Sequence, residues 1–188
     1  MLVLVIGDFH IPNKAHTLPL KFKKLLVPNK IQHIICTGNL CCKETYDYLR
    51  SLASDVHIVR GDVDMDSTYP FTKVISVGDF QIGLTHGHQI IPWGNEEAIE
   101  SVARQMNIDV MVTGFTNECY VKEKEKILYL NPGSVTGASS ICNENLEPTI
   151  PSFALMDVQA DTIVTYVYKL VDDAVKVDRF AYKKYIKA

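Results

Sequence analysis

The sequence predicts an α/β fold: a two-sheet β-sandwich flanked by helices, in one domain over residues 1–188. Three observations carry this. Met1-Leu-Val-Leu-Val-Ile6 is an unbroken apolar run stopped by Gly7. Lacking polar alternation, it suits a central parallel strand covered on both faces. From there to Val59 strand-like runs alternate with helical spacing, and a β-α-β-α-β order implies a parallel sheet with right-handed crossovers. The second half is richer in strands and supplies a second sheet.

The elements follow in order. Ala15 to Leu26 has helical spacing at Leu18, Phe22, Leu25 and Leu26, and ends before Pro28. Ile31 to Cys36 is a short strand stopped by Gly38. Lys43 to Ala53 is an amphipathic helix with Tyr46, Leu49 and Leu52 on one face. Val56 to Val59 is the third strand. Lys73–Val77 and Phe80–Leu84 flank Gly78-Asp79, a hairpin turn signal. Glu96 to Met106 reads as a helix and Val110 to Thr113 as a strand. Tyr120–Lys122 and Ile127–Leu130 flank Glu123-Lys-Glu-Lys126, a charge run expected to be a solvated loop. Phe153–Val158, Ile163–Leu170 and Ala174–Tyr182 read as antiparallel strands. Asn143-Glu-Asn-Leu-Glu-Pro148 reads as a loop.

Composition excludes several function classes. The 47% hydrophobic and 22% charged residues are ordinary for a globular domain. A net charge of −3 and a pI near 6.1 argue against binding nucleic acid through bulk positive charge. No apolar run approaches the roughly 18 residues of a membrane span. The first apolar run is too short for a signal peptide and lacks a basic flank. Five cysteines, an odd number with no C-x-x-C pair, fit a reducing, cytosolic compartment. Cys41-Cys42 is either a reactive pair or two neutral thiols.

Polar residues of metal-ligand type recur where strands end. They are Asp8 and His10; Gly38-Asn39; Gly61-Asp62-Val63-Asp64; His86-Gly87-His88; and Gly114-Phe115-Thr116-Asn117. Ligands in open α/β sheets bind past the carboxyl ends of strands. One such motif would mean little, but several in order, each after a strand and a glycine, form a pattern. The pattern resembles the calcineurin-like metallophosphoesterases, with D-x-H, G-D, G-N-x-D, H-G-H and G-H-x-H motifs. That resemblance implies their sandwich fold, two metal ions and hydrolysis of phosphate esters by metal-activated water.

The resemblance narrows over the whole chain. Asp8-Phe-His-Ile-Pro12, Lys21-Phe-Lys-Lys-Leu-Leu-Val-Pro28, Cys36-Thr-Gly-Asn-Leu-Cys41, Val56-His-Ile-Val-Arg-Gly-Asp62, His86-Gly-His-Gln89, Ile91-Pro-Trp-Gly94, Asn131-Pro-Gly-Ser134 and Thr165-Tyr-Val-Tyr168 are similar to the vacuolar protein sorting 29 family. That family is the small phosphoesterase-like subunit of retromer, where the fold serves as a binding scaffold in endosomal cargo sorting. The implied place is cytoplasmic, peripheral on the cytosolic face of endosomes, touching membrane only through the complex.

The residues themselves argue against catalysis. Asn39 stands where the enzymes carry a bridging aspartate. A carboxylate offers an anionic oxygen to each cation, whereas an amide offers one neutral oxygen and an NH2 that a cation repels. Asp62 stands where they carry Asn. Phe115 and Asn117 stand where they supply two histidines, a motif the resembled family itself keeps. Val63 occupies a position where many of the enzymes place a catalytic His. The expectation is no enzymatic turnover and no cofactor, with at most weak Zn2+ or Mn2+ binding. The vestigial site is then Asp8, His10, Asn39, Asp62, His86 and Asn117, a hydrogen-bonded cluster closing the strand ends. The alternative is a metal-dependent phosphodiesterase or phosphatase with a degraded site.

Two surfaces replace chemistry. Ile90, Ile91, Pro92 and Trp93 fall on a loop after His86-Gly-His88, and apolar side chains of this kind suit an interface. The resemblance implies that this face docks the C-terminal end of the helical-solenoid subunit, vacuolar protein sorting protein 35. Leu2 lies at the end of the first strand far from Asp8, and strand alternation puts Tyr166 and Tyr168 on one face. With Leu155, the resemblance makes these a patch for Rab-cycle regulators and sorting-nexin components.

Overall fold

The computed structural model describes residues 1–142 and 148–185. Residues 143–147 of the expected Asn143–Pro148 loop lie outside the described residues. The strands are β1 (Leu2–Ile6), β2 (His33–Cys36), β3 (Asp55–Ile58), β4 (Thr72–Val77), β5 (Phe80–Thr85), β6 (Val110–Val112), β7 (Tyr120–Lys124), β8 (Ile127–Asn131), β9 (Ser152–Gln159), β10 (Thr162–Val171) and β11 (Ala174–Lys183). The helices are α1 (Leu20–Leu25), α2 (Lys43–Leu52) and α3 (Glu96–Met106).

These strands form two sheets. One has six strands in the order β11-β10-β9-β1-β2-β3; the other has five in the order β4-β5-β6-β8-β7. β1 sits inside the first sheet, parallel to β2 and antiparallel to β9. Its apolar run is explained by its two covers. Val3 and Val5 join Ile82, Leu84, Val110 and Leu130 in the core between the sheets. Leu4 and Ile6 join Phe22, Leu49 and Leu52 in the core under α1 and α2. A third cluster packs Ala103 of α3 on Met111 and Tyr129, behind the second sheet. The layers therefore run helix, sheet, sheet, helix.

Two elements differ from the sequence reading. The first helix begins at Leu20, not Ala15. Pro19 disfavours helical backbone in the residue before it, so Leu18 stays outside while its side chain remains buried. Before it, Lys14 and Ala15 donate backbone hydrogen bonds to the His10 carbonyl. The charge run is shorter as a loop than expected. β7 continues through Lys124, and the turn is Glu125-Lys126, both at positive φ, as a two-residue hairpin requires. Lys124 pairs with Glu100 of α3 at 2.6 Å, so part of the run tethers helix to sheet.

Candidate functional site

The loops after β1, β2, β3, β5 and β6 converge at the carboxyl edge. Backbone bonds set their spacing: Asp8 N donates to the Gly38 carbonyl at 3.0 Å and His10 N to the Asn39 carbonyl at 2.9 Å. Gly38, at φ 106°, has to be glycine, because a Cβ there would lie 2.6 Å from Gly61 N. Asp8, His10, Asn39 and His86 are all buried.

Asn39 occupies the middle. Its Nδ2 lies 3.1 Å from Asp8 Oδ1, 2.9 Å from Asp62 Oδ1, 3.2 Å from His86 Nε2 and 3.4 Å from His10 Nε2. The amide cannot be the other way round. Its Oδ1 accepts from Val63 N at 3.2 Å, and a flip would aim that oxygen at two carboxylates. The amide N–H groups thus donate to Asp8 and Asp62.

His86 supplies the positive charge. Its Nδ1 donates to the Thr37 carbonyl at 2.6 Å, and its Nε2 faces Asp62 Oδ1 at 3.0 Å. The Thr37 carbonyl requires a proton on Nδ1, and the Asp62 carboxylate favours a second one on Nε2. Burial pushes the imidazole pKa down, but the Asp8 charge, the Asp62 contact and the Thr37 bond outweigh it, and the net shift is upward. The hydrogen bond from His86, opposed by burial and aided by Asn39, holds the Asp62 carboxyl well below the usual range. An amide and an imidazolium do here what metal cations would do for two carboxylates.

Asn117 does not join them. Its Nδ2 donates to the Ala138 carbonyl at 2.7 Å, and its Oδ1 has no hydrogen-bond partner among the described residues. Phe115 does join, in two ways. Its backbone N donates to Asp8 Oδ2 at 3.2 Å. Its ring meets His86 edge-on at a centroid distance of 5.6 Å and Trp93 at 5.2 Å. Trp93 donates its indole N–H to the His88 carbonyl and keeps 51% of its surface exposed. Beside it Ile91 is 77% exposed. Ile90 departs from the expected surface row: it turns inward to 8% exposure and helps line the cavity under Trp93 and Phe115.

Comparison with known proteins fits this geometry. The calcineurin-like phosphoesterase superfamily domain matches residues 1–161. The vacuolar protein sorting-associated protein 29 of Schizosaccharomyces pombe is 43% identical over 98% of this chain and 99% of its own. The chain belongs to the vacuolar protein sorting-associated protein 29 family. It is therefore a retromer subunit, a component of vacuolar protein sorting at endosomes, built on a metallophosphoesterase fold. Two solved family members extend the comparison. Vps29 of Entamoeba histolytica complexed with Zn2+ is 46% identical at a TM-score of 0.90, covering 96% of this chain and 99% of that one. Vps29 of Chaetomium thermophilum complexed with a cyclic peptide is 37% identical at a TM-score of 0.85, covering 99% and 98%.

Against the two-metal centre of the superfamily, the residues fit poorly. The bridging position presents N–H groups inward, and one wall is a phenyl ring. Leu2, Leu155, Tyr166 and Tyr168, expected from the sequence to form a second surface, lie on the outer face of the six-stranded sheet. There Leu155 pairs with Leu4 on one side and Tyr166 on the other. Tyr168 stacks on Phe153 with centroids 4.8 Å apart, and Leu2, Leu155 and Tyr168 pack half-buried against the outer core. No helix among the described residues is long and apolar enough to cross a membrane.

Three residues support the site in roles the sequence does not assign them. Asp64, buried, accepts from Asn39 N at 2.7 Å, Gly61 N at 2.9 Å and Cys41 N at 3.0 Å, and so clamps two loops. Ser134 Oγ donates to the Asp8 carbonyl at 2.7 Å, and the Thr37 carbonyl orients His86. The G-D-x-D spacing was the one available signal for Asp64. The described cysteines are free, and burial pushes the Cys41 thiol up to about 12, which leaves it a poor nucleophile.

Proposed function

We propose that this retromer subunit is a non-catalytic scaffold with two docking faces. It holds the C-terminal end of the solenoid subunit, vacuolar protein sorting protein 35, through Ile91, Pro92 and Trp93, with Ile90 as their inner support. It recruits Rab-cycle regulators and sorting-nexin components through Leu2, Leu155, Tyr166 and Tyr168. It sits on the cytosolic face of endosomes, meets the membrane through the complex, and works without a cofactor.

The observation that carries this reading is Phe115. At a position where phosphoesterases use an imidazole ligand, its ring supports the exposed Trp93. A metal-site wall has become the floor of an apolar surface. The cyclic peptide bound to the Chaetomium thermophilum relative supports a fold that takes protein ligands. Ile91→Asp should leave the melt within about 0.5 kcal/mol, since the side chain is exposed. It should weaken capture of the solenoid subunit by about 30-fold, as expected of a central interface residue. Leu155→Glu should keep the solenoid subunit and lose the regulators. Copurification of the solenoid subunit unchanged by Ile91→Asp would sink the first assignment.

The Zn2+ complex of the Entamoeba histolytica relative favours a second reading, a phosphodiesterase working with weakly held metal. Asp62 and His86 remain within 3.0 Å of each other to hold one ion. Bis-p-nitrophenyl phosphate with Mn2+ tests it. The scaffold reading expects a rate equal to buffer with Mn2+ alone, and turnover abolished by Asp62→Ala would establish the enzyme instead.

A further inference from the structure

A second cluster of metal-ligating side chains lies at the opposite end of the same sheet. β2 and β3 are parallel, with His33 beside Asp55 and Ile35 beside His57. Side chains alternate along a strand, so His33, Asp55 and His57 all share the face of Ile35, which points into the core between the sheets. They sit at the amino ends of β2 and β3, whereas the Asp8 cluster sits at the carboxyl ends. β3 is an edge strand, and the side chains are 23%, 46% and 17% exposed for His33, Asp55 and His57.

The ligand atoms already converge. Asp55 Oδ2 lies 2.6 Å from His33 Nδ1 and 3.0 Å from His57 Nε2, and the three atoms lie within 4.8 Å of one another. The two rings stack at 21° with centroids 6.3 Å apart. Zinc bonds of about 2.0–2.2 Å in a tetrahedron set its ligand atoms about 3.3 Å apart. Small side-chain rotations bridge that difference. Two protons now hold the imidazoles to the carboxylate, and a cation would take their place. His57 Nδ1 has no hydrogen-bond partner among the described residues, so it is free to carry the ring proton when Nε2 exchanges its bond to Asp55 for one to the cation. Unlike the Asp8 cluster, this one has an anionic oxygen at its centre rather than an amide N–H. The Lys73 charge acts on His57 and would limit the affinity.

We propose that His33 Nδ1, Asp55 Oδ2 and His57 Nε2 bind one borderline divalent cation, with zinc the best match and solvent completing the shell. Two imidazoles and one carboxylate are a zinc-type set with an open position. The ion would strap edge strand β3 to β2, a structural role independent of the strand-end cluster.

Cobalt(II), a spectroscopic stand-in for zinc, tests this on the full chain. Asp8→Asn with His86→Gln silences the other cluster. In that background one equivalent of cobalt should bind with a visible d–d band and no thiolate charge-transfer band. Adding His57→Gln, or Asp55→Asn as the gentler change, should lower the affinity at least about tenfold. Absence of stoichiometric binding in the background, binding indifferent to both further substitutions, or a thiolate band would each overturn the proposal. Should the background fold poorly, zinc titration of the unsubstituted chain by imidazole NMR decides the matter. His33 and His57 resonances should move with the first equivalent; shifts confined to His10 and His86 would overturn it.

Discussion

The two ends of the six-stranded sheet carry similar chemistry and reach opposite outcomes. At the carboxyl end two carboxylates and two imidazoles surround Asn39, whose N–H groups face them. At the amino end two imidazoles surround the oxygen of Asp55. The first arrangement satisfies itself, because a donor sits in the centre; the second has an acceptor in the centre, which a cation can share. The backbone differs as well. Asp8, His10, Asn39, Phe115 and Asn117 all adopt positive φ, at 49°, 49°, 56°, 69° and 58°. His33, Asp55 and His57 lie on regular parallel strands. Unusual backbone collects at functional sites, yet here it survives at the end whose ligand set is degraded. What separates the two ends is the group at the centre, a donor amide in one and an acceptor carboxylate in the other, rather than the count of ligand-type residues.

The sharpest way to break this contrast is Asn39→Asp. It removes the donor shared by Asp8 and Asp62 and places a third carboxylate between them. Without metal the chain should lose about 3 kcal/mol at neutral pH, the scale of an uncompensated buried charge. For a chain of this length that corresponds to a melting temperature lower by roughly 6–12 °C. Mn2+ or Zn2+ should restore much of the loss in the variant and do far less at this end of the unsubstituted chain. Melting curves with metal and with chelator check both halves. An unchanged melt would mean that the amide is not what holds this end together.

Much of the carboxyl end was legible because each ligand-type residue follows an apolar run and a glycine within a few positions. Asp8, His10, Asn39, Asp62 and His86 were found this way, and the structure brings them together. What escaped depends on partners far along the chain. Asp64 matters through backbone groups of Asn39 and Cys41, two loops away. Phe115 reads as a lost ligand, but its service to Trp93 spans 22 residues and appears only when β6 and the loop after β5 meet. Ile90 and Ile91 are indistinguishable by composition, and only the loop's path separates the buried one from the exposed one. The motif puts Asn117 in the vestigial hydrogen-bonded cluster, yet its amide donates to the Ala138 carbonyl, which no spacing announces. In the amino-end triad, Asp55-Val-His57 repeats the spacing of Asp8-Phe-His10, but only the parallel register brings His33 beside Asp55. Sequence signals local turns and periodicity well; cross-strand meetings depend on the sheet.

Acidity offers a gentler way to separate the two ends. His86 has a raised pKa, through the Asp8 charge and the Asp62 and Thr37 contacts overcoming burial. Its contribution to stability is full below the unfolded value of about 6.5 and is lost as pH rises through the folded value. Asp62 has a lowered pKa, chiefly through His86, so its contribution is full above about 3.9 and lost as pH falls through the folded value. The carboxyl-end pair therefore contributes most between about pH 4 and pH 6.5. His57 runs the other way. Burial lowers its pKa despite Asp55, with the Lys73 charge adding to the shift. Its neutral form favours folding fully above about pH 6.5, and that contribution is lost as pH falls through the folded value. Melts from pH 5 to 9 should show His86→Asn costing most on the acid side and progressively less toward pH 9. His57→Asn should do the reverse, with its relative stability improving as pH falls. Both changes should be smaller than that of Asn39→Asp, and parallel profiles for the two histidine variants would mean that the ends do not differ in their electrostatics.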